Sequence, residues 1–131
     1  MFELTIEGKV YQFNFGMGFL REMNKKVSSP VDGLKDVKKN IGLNYIVSGV
    51  IDGELEDLVE LLDCANKGQS PRVTKALLDS YIDDENTDID ALFESVIDFL
   101  KKTNATKNTT KELLEVLEIQ KAKMKKKLET T

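Results

Sequence analysis

The chain contains no histidine, no tryptophan, a single cysteine and only two prolines. Without histidine, no side chain titrates near neutral pH unaided, so general acid and base chemistry would fall to perturbed carboxylates or lysines. With Cys64 alone, neither an intramolecular disulfide nor a zinc cluster of thiolates can form. Cys64 lies in LLDCANKG, where a small half-buried thiol on a helix is the plain reading, and the chain has no imidazole to activate it as a nucleophile. Long apolar runs are missing too: none approaches the ~20 residues needed to span a bilayer. The opening MFELTIEGKVYQF lacks a basic start followed by an apolar stretch, so it does not read as a signal peptide, and an intracellular protein without a membrane partner is expected.

What remains is a chain of 131 residues with 40% hydrophobic content, the usual size of one domain and enough to bury a core without metals or disulfides. Its net charge of −4 is unevenly spread. Residues 1–51 carry seven Lys or Arg against five Asp or Glu, residues 52–98 three against fourteen, and residues 99–131 nine against four. An acidic middle and a basic tail point to electrostatic docking with partners or between copies of the chain.

Phe2, Leu4 and Ile6 alternate with Glu3, Thr5 and Glu7, and after Glu7-Gly8 the chain resumes in strand-forming residues, Val10, Tyr11, Phe13 and Phe15. With Glu7-Gly8 as a two-residue turn, Ile6 pairs with Lys9, Leu4 with Tyr11 and Phe2 with Phe13, gathering Phe2, Leu4, Tyr11 and Phe13 on one face. The other face sets Glu3 opposite Gln12 and Thr5 opposite Val10, and is mostly polar. A lone hairpin is marginal in water, so the apolar face requires cover.

Helical spacing supplies that cover. Phe19, Leu20, Met23 and Val27 form one stripe, ended by Ser28-Ser29-Pro30; after a turn at Asp32-Gly33, Leu34, Val37 and Ile41 form a short one. Residues 43–51 are apolar enough for a buried helix or a strand; helix is preferred, because a third strand would have to travel back to the hairpin. Leu55, Leu58, Val59, Leu62 and Ala65 form a stripe stopped by Gly68. Ser70-Pro71 reads as the start of a helix bearing Val73, Ala76, Leu77 and Tyr81, and Thr87 with Asp90 as a capping box before Ile89, Leu92, Phe93, Val96 and Leu100. Residues 103–108 read as a linker, with Thr109 and Glu112 capping a last helix that runs into KAKMKKK. The expected fold is α+β, mainly α: an N-terminal two-stranded antiparallel β-hairpin packed on a bundle of about five to six helices. Residues 1–103 are expected to form the hairpin and helical domain, and 104–131 a linker and basic C-terminal helix or tail.

Three stretches could carry chemistry. DDENTDID, residues 83–90, fails the calcium-loop pattern in both registers, with Asp88 or Ile89 at the glycine position, and reads as a solvated loop with a helix cap. Gly16-Met17-Gly18 lacks the third glycine and the lysine of a phosphate loop and reads as a tight strand-to-helix turn. Lys121, Lys123, Lys125, Lys126 and Lys127 could contact an acidic protein surface or nucleic acid phosphates, though no arginine or aromatic accompanies them. No catalytic, cofactor-binding or metal-binding residue is expected, and the chain reads as a binding protein rather than an enzyme. Candidate contact residues are Thr5, Val10 and Gln12 on the outer face and strand edge of the hairpin, together with the five lysines of the tail.

The opening MFELTIEGKVYQFNFGMGFLREMNKK, passing from hairpin through Gly16-Met17-Gly18 into a helix and then an acidic helical body, resembles the tail assembly chaperones of long-tailed bacteriophages or prophages of Gram-positive hosts. The similarity is best over roughly the first hundred residues. The resemblance implies a small factor in the bacterial cytoplasm that coats or solubilises the tape measure protein while the tail tube polymerises, and that is absent from the finished virion. It also implies contact with the major tail protein or a second copy of the chain, and members are often made in two lengths by frameshifting. The alternative is a small phage or bacterial regulator that binds nucleic acid through its lysine-rich tail.

Overall fold

A computed structural model describes residues 1–26 and 41–129. The expected Val27, the stop at Ser28-Ser29-Pro30 and the turn and stripe of Asp32-Gly33, Leu34 and Val37 lie outside the described residues. Strands β1 (Phe2–Ile6) and β2 (Lys9–Phe13) form an antiparallel pair in the expected register, Phe2 opposite Phe13, Leu4 opposite Tyr11 and Ile6 opposite Lys9. Glu7 and Gly8 both take positive φ, 51° and 78°, as a two-residue turn matched to strand twist requires; glycine tolerates this freely, and the glutamate accepts some cost.

Six helices follow: α1 (Met17–Lys26), α2 (Ile41–Ile51), α3 (Leu55–Asn66), α4 (Lys75–Asp83), α5 (Ile89–Lys102) and α6 (Lys107–Glu129). The fold is α+β, mainly α. Residues 43–51 are helical, and the reason is position: α2 packs against α1, α3, α5 and α6, with Leu43, Val47 and Val50 fully buried. A helix apolar on nearly every side belongs at the centre of a bundle. The hairpin lies on the helices through its apolar face. Phe13 is fully buried, and the Phe2 ring meets Phe13 at 5.9 Å between centroids and Phe99 of α5 edge-on at 5.1 Å.

Four local expectations are corrected. Helix α4 starts at Lys75, not at Ser70-Pro71, and its N-cap is Thr74, whose side chain accepts the Leu77 N–H at 3.1 Å. Residues 67–73 instead form a loop that ends on buried Val73, while Ala76 is exposed. Asp88, not Thr87, caps α5 by accepting the Ala91 N–H at 3.0 Å, while the Thr87 hydroxyl is directed back to α4 and donates to the Tyr81 carbonyl at 2.6 Å. Leu55, counted in the α3 stripe, stands at the helix start and is 43% exposed. Helix α6 begins at Lys107, so Thr109 and Glu112 lie inside it rather than at its cap.

Between α5 and α6 the chain turns tightly on threonine hydroxyls. Thr103 Oγ1 donates to the Phe99 carbonyl at 2.8 Å, Thr106 Oγ1 to Leu100 at 2.7 Å and Thr110 Oγ1 to Thr106 at 2.8 Å. Thr106 and Thr110 are fully buried; the Thr106 hydroxyl serves the Leu100 carbonyl near the end of α5, whereas the Phe99 and Thr106 carbonyls also accept the backbone N–H groups of Thr103 and Thr110.

Candidate partner-binding surfaces

The hairpin is anchored along one edge only. A two-residue turn closed by Ile6 and Lys9 makes Ile6–Lys9, Leu4–Tyr11 and Phe2–Phe13 the hydrogen-bonded pairs, so Val10, Gln12 and Asn14 turn their backbone groups outward from β2. Two of these outward groups are taken by the end of α3: Asn14 N–H donates to the Ala65 carbonyl at 2.8 Å, and Asn66 Nδ2 donates to the Gln12 carbonyl at 2.9 Å.

Asn66 is the hub of this contact. It is fully buried, its Nδ2 also reaches the Pro71 carbonyl at 3.3 Å, and its Oδ1 accepts from Arg72 Nη1 at 3.0 Å and from Val73 N–H at 2.6 Å. One side chain thereby joins β2, α3 and the 67–73 loop, which explains why Ser70-Pro71 does not open a helix. Sequence reasoning missed Asn66, although a signal exists: it falls four residues after Leu62 on the buried face of α3, and a polar group at a core position must be hydrogen-bonded.

The expected contact residues sit on two separate elements. Thr5 and Val10 face each other across the hairpin and are exposed, Val10 by 47%, while half-buried Gln12 donates its side-chain amide to Glu3 Oε1 at 3.4 Å. Lys121, Lys123, Lys125, Lys126 and Lys127 are all exposed on the last turns of α6. The first turns of that helix pack on the body, with Thr110 buried and Leu113 against the core. From Val116 onward the helix is largely uncovered, and Val116, Ile119, Met124 and Leu128 are 50%, 56%, 66% and 74% exposed.

Electrostatics sharpen around α3. Glu60 lies between two lysines, in contact with Lys75 and 3.0 Å from Lys26, and these hydrogen bonds hold its carboxyl below the usual range. Burial pushes the Asp57 carboxyl up, aided by Glu54, Glu56, Glu60 and Asp52 nearby. Burial likewise pushes the Cys64 thiol up, the opposite of what a reactive thiolate needs. Two acids of residues 83–90 bond to nearby backbone: Asp84 follows α4 and accepts the Asn86 N–H at 2.9 Å, and Asp88 caps α5. Among the described residues no group of three acidic or thiol side chains converges on a point where a metal ion could sit.

The hairpin's outer face and the last turns of α6 are thus exposed to solvent. A family model described as "Phage tail assembly chaperone protein, TAC" matches residues 3–115, most of the chain. The chain belongs to that family. The match runs from β1 into α6 and stops one residue before Val116, so the exposed half of α6 lies beyond the part shared with the tail assembly chaperones. Neither a curated protein nor a solved structure matches the chain.

Proposed function

We propose that this tail assembly chaperone is a non-enzymatic factor that binds the tape measure protein and keeps it soluble while the tail tube assembles. It would act in the cytoplasm of the bacterial host of a long-tailed phage or prophage, and leave before the virion is complete. The observation that carries this reading is the match of residues 3–115 to the tail assembly chaperones, and the uncovered half of α6 adds an exposed surface for a partner. Apolar Val116, Ile119, Met124 and Leu128 and five lysines project from a folded body, a combination suited to covering the apolar stripe and acidic flank of another helix. The lysines, together with Thr5, Val10 and Gln12 of the hairpin, are the proposed contact residues. The major tail protein and a second copy of the chain are further candidate partners.

Co-expression tests the reading. Tape measure protein that is insoluble alone should become soluble and co-purify with the chaperone, and lose both properties when residues 116–131 are removed. A tape measure protein equally insoluble with and without the chaperone would refute it.

A further inference from the structure

The two edges of the hairpin are not equivalent. β2 is closed at Gln12 and Asn14 by α3, whereas Glu3 and Thr5, whose backbone N–H and C=O groups point away from β2, find no backbone partner among the described residues. A groove of about 530 Å³ runs beside β1. Its strand-side wall consists of Phe2, Glu3, Leu4, Thr5 and the turn residue Glu7, which point to both faces of the hairpin, and β2 contributes nothing to it. A groove lined in this way follows the strand edge rather than covering a face. The opposite wall is the end of α4, the α4–α5 connection and the first half of α5, where Tyr81 and Leu92 supply apolar surface and Asp84 and Asp88 supply charge. Glu3, Glu7, Asp84 and Asp88 thus look into one channel, and no lysine or arginine lines it.

We infer that the β1 edge receives an extended basic segment of a partner protein, which adds as a third strand beside Glu3 and Thr5. The strand edge supplies backbone hydrogen bonds that any sequence can use, and the four carboxylates choose the sign of the occupant's charge. An acidic segment would meet repulsion along the whole channel. A basic one with alternating apolar side chains satisfies the carboxylates and also covers Leu4, Tyr81 and Leu92. The inference rests on the reading above only in expecting a protein partner, and it is independent of α6.

The test uses the full chain and a fluorescein-labelled peptide alternating lysine and valine, followed by anisotropy at low salt. Saturable binding is expected, weakened about tenfold or more by Glu3→Lys combined with Asp84→Lys. Thr5→Pro, which removes an outward N–H without touching a hydrogen bond to β2, should weaken binding about tenfold as well. Two N-methylated peptides, blocked on the lysine amides or on the valine amides, separate strand addition from charge alone on the unaltered protein. One of the two should lose binding while the other keeps it; equal binding of both would overturn the inference. Self-association abolished by Thr5→Pro, with no peptide binding, would overturn it in favour of a second copy. Because the peptide assay contains no tape measure protein, its failure would leave the co-expression result standing, and the reverse holds too.

Discussion

Gly42 of α2 lies so close to Met23 of α1 that a Cβ on the glycine would fall 1.9 Å from the Met23 carbonyl oxygen. The obstacle is backbone, which cannot swing aside as a side chain would. Gly42→Ala should therefore force the two helices apart and cost about 2–3 kcal/mol, at the upper end of overpacking penalties. Gly18→Ala, in α1 with open space around it, should be neutral or stabilise by up to about 1 kcal/mol. Urea denaturation of the two variants checks the contrast, and equal midpoints would contradict it.

Asn66→Ala removes four hydrogen bonds at once and leaves the Val73 N–H and the Gln12 carbonyl without this partner. A loss of roughly 2–4 kcal/mol is expected, since each buried group stranded in this way costs about 1–3 kcal/mol. Hydrogen exchange should show the effect at both the 67–73 loop and β2. Faster exchange at the loop alone would mean that Asn66 does not couple the two.

Thr106→Val keeps the shape of a buried side chain and deletes one donor, leaving the Leu100 carbonyl unpaired by it. The expected cost is about 1–2 kcal/mol, measured by thermal or urea unfolding. An unchanged midpoint would show that the tight turn does not depend on the hydroxyl.

The carboxyl of Glu60 is held below its ordinary value by Lys75 and Lys26, so the folded state favours its ionised form. Its stabilising contribution is present above the ordinary value of 4.5 and is lost as pH falls through the lower folded value. Glu60→Gln should therefore destabilise the protein by about 1 kcal/mol at pH 7, the modest size reflecting partial exposure, and make no difference once the wild-type carboxyl is protonated. Asp57 has the opposite sign: its folded value is raised, so ionising it opposes folding, and that penalty fades as pH falls through the raised value. Stability measured against pH should therefore place Glu60→Gln below wild type and Asp57→Asn above it at neutral pH, with both differences closing as pH falls through the folded values, and differences of the same sign at pH 7 would contradict the assignment.

The hairpin was readable to the residue, because alternation, the Glu7-Gly8 turn and the pairing of large side chains all require one register. The helices were readable as stripes, but their starts were not. Thr74 displaced Ser70-Pro71, whose loop is tied to Asn66, Asp88 displaced Thr87, whose hydroxyl goes to Tyr81, and α6 began at Lys107, ahead of Thr109; such contacts are not displayed by local sequence pattern. Asn66 and Thr106 escaped for the same reason: local pattern marks them as polar, and only the folded chain shows that they are buried and satisfied. Of the candidate surfaces, the lysines of α6 were plain from composition. The asymmetry between the hairpin's edges was not, since it arises from α3 meeting β2 about fifty residues away in sequence.

Helix α6 is held at one end by buried Thr106 and Thr110 and uncovered at the other. At 1.5 Å per residue, the stretch from Val116 to Leu128 reaches roughly 20 Å from its base. Whatever grips the lysine-bearing tip is kept at a set stand-off from the globular part, with the threonine turn as the joint that bears any pull.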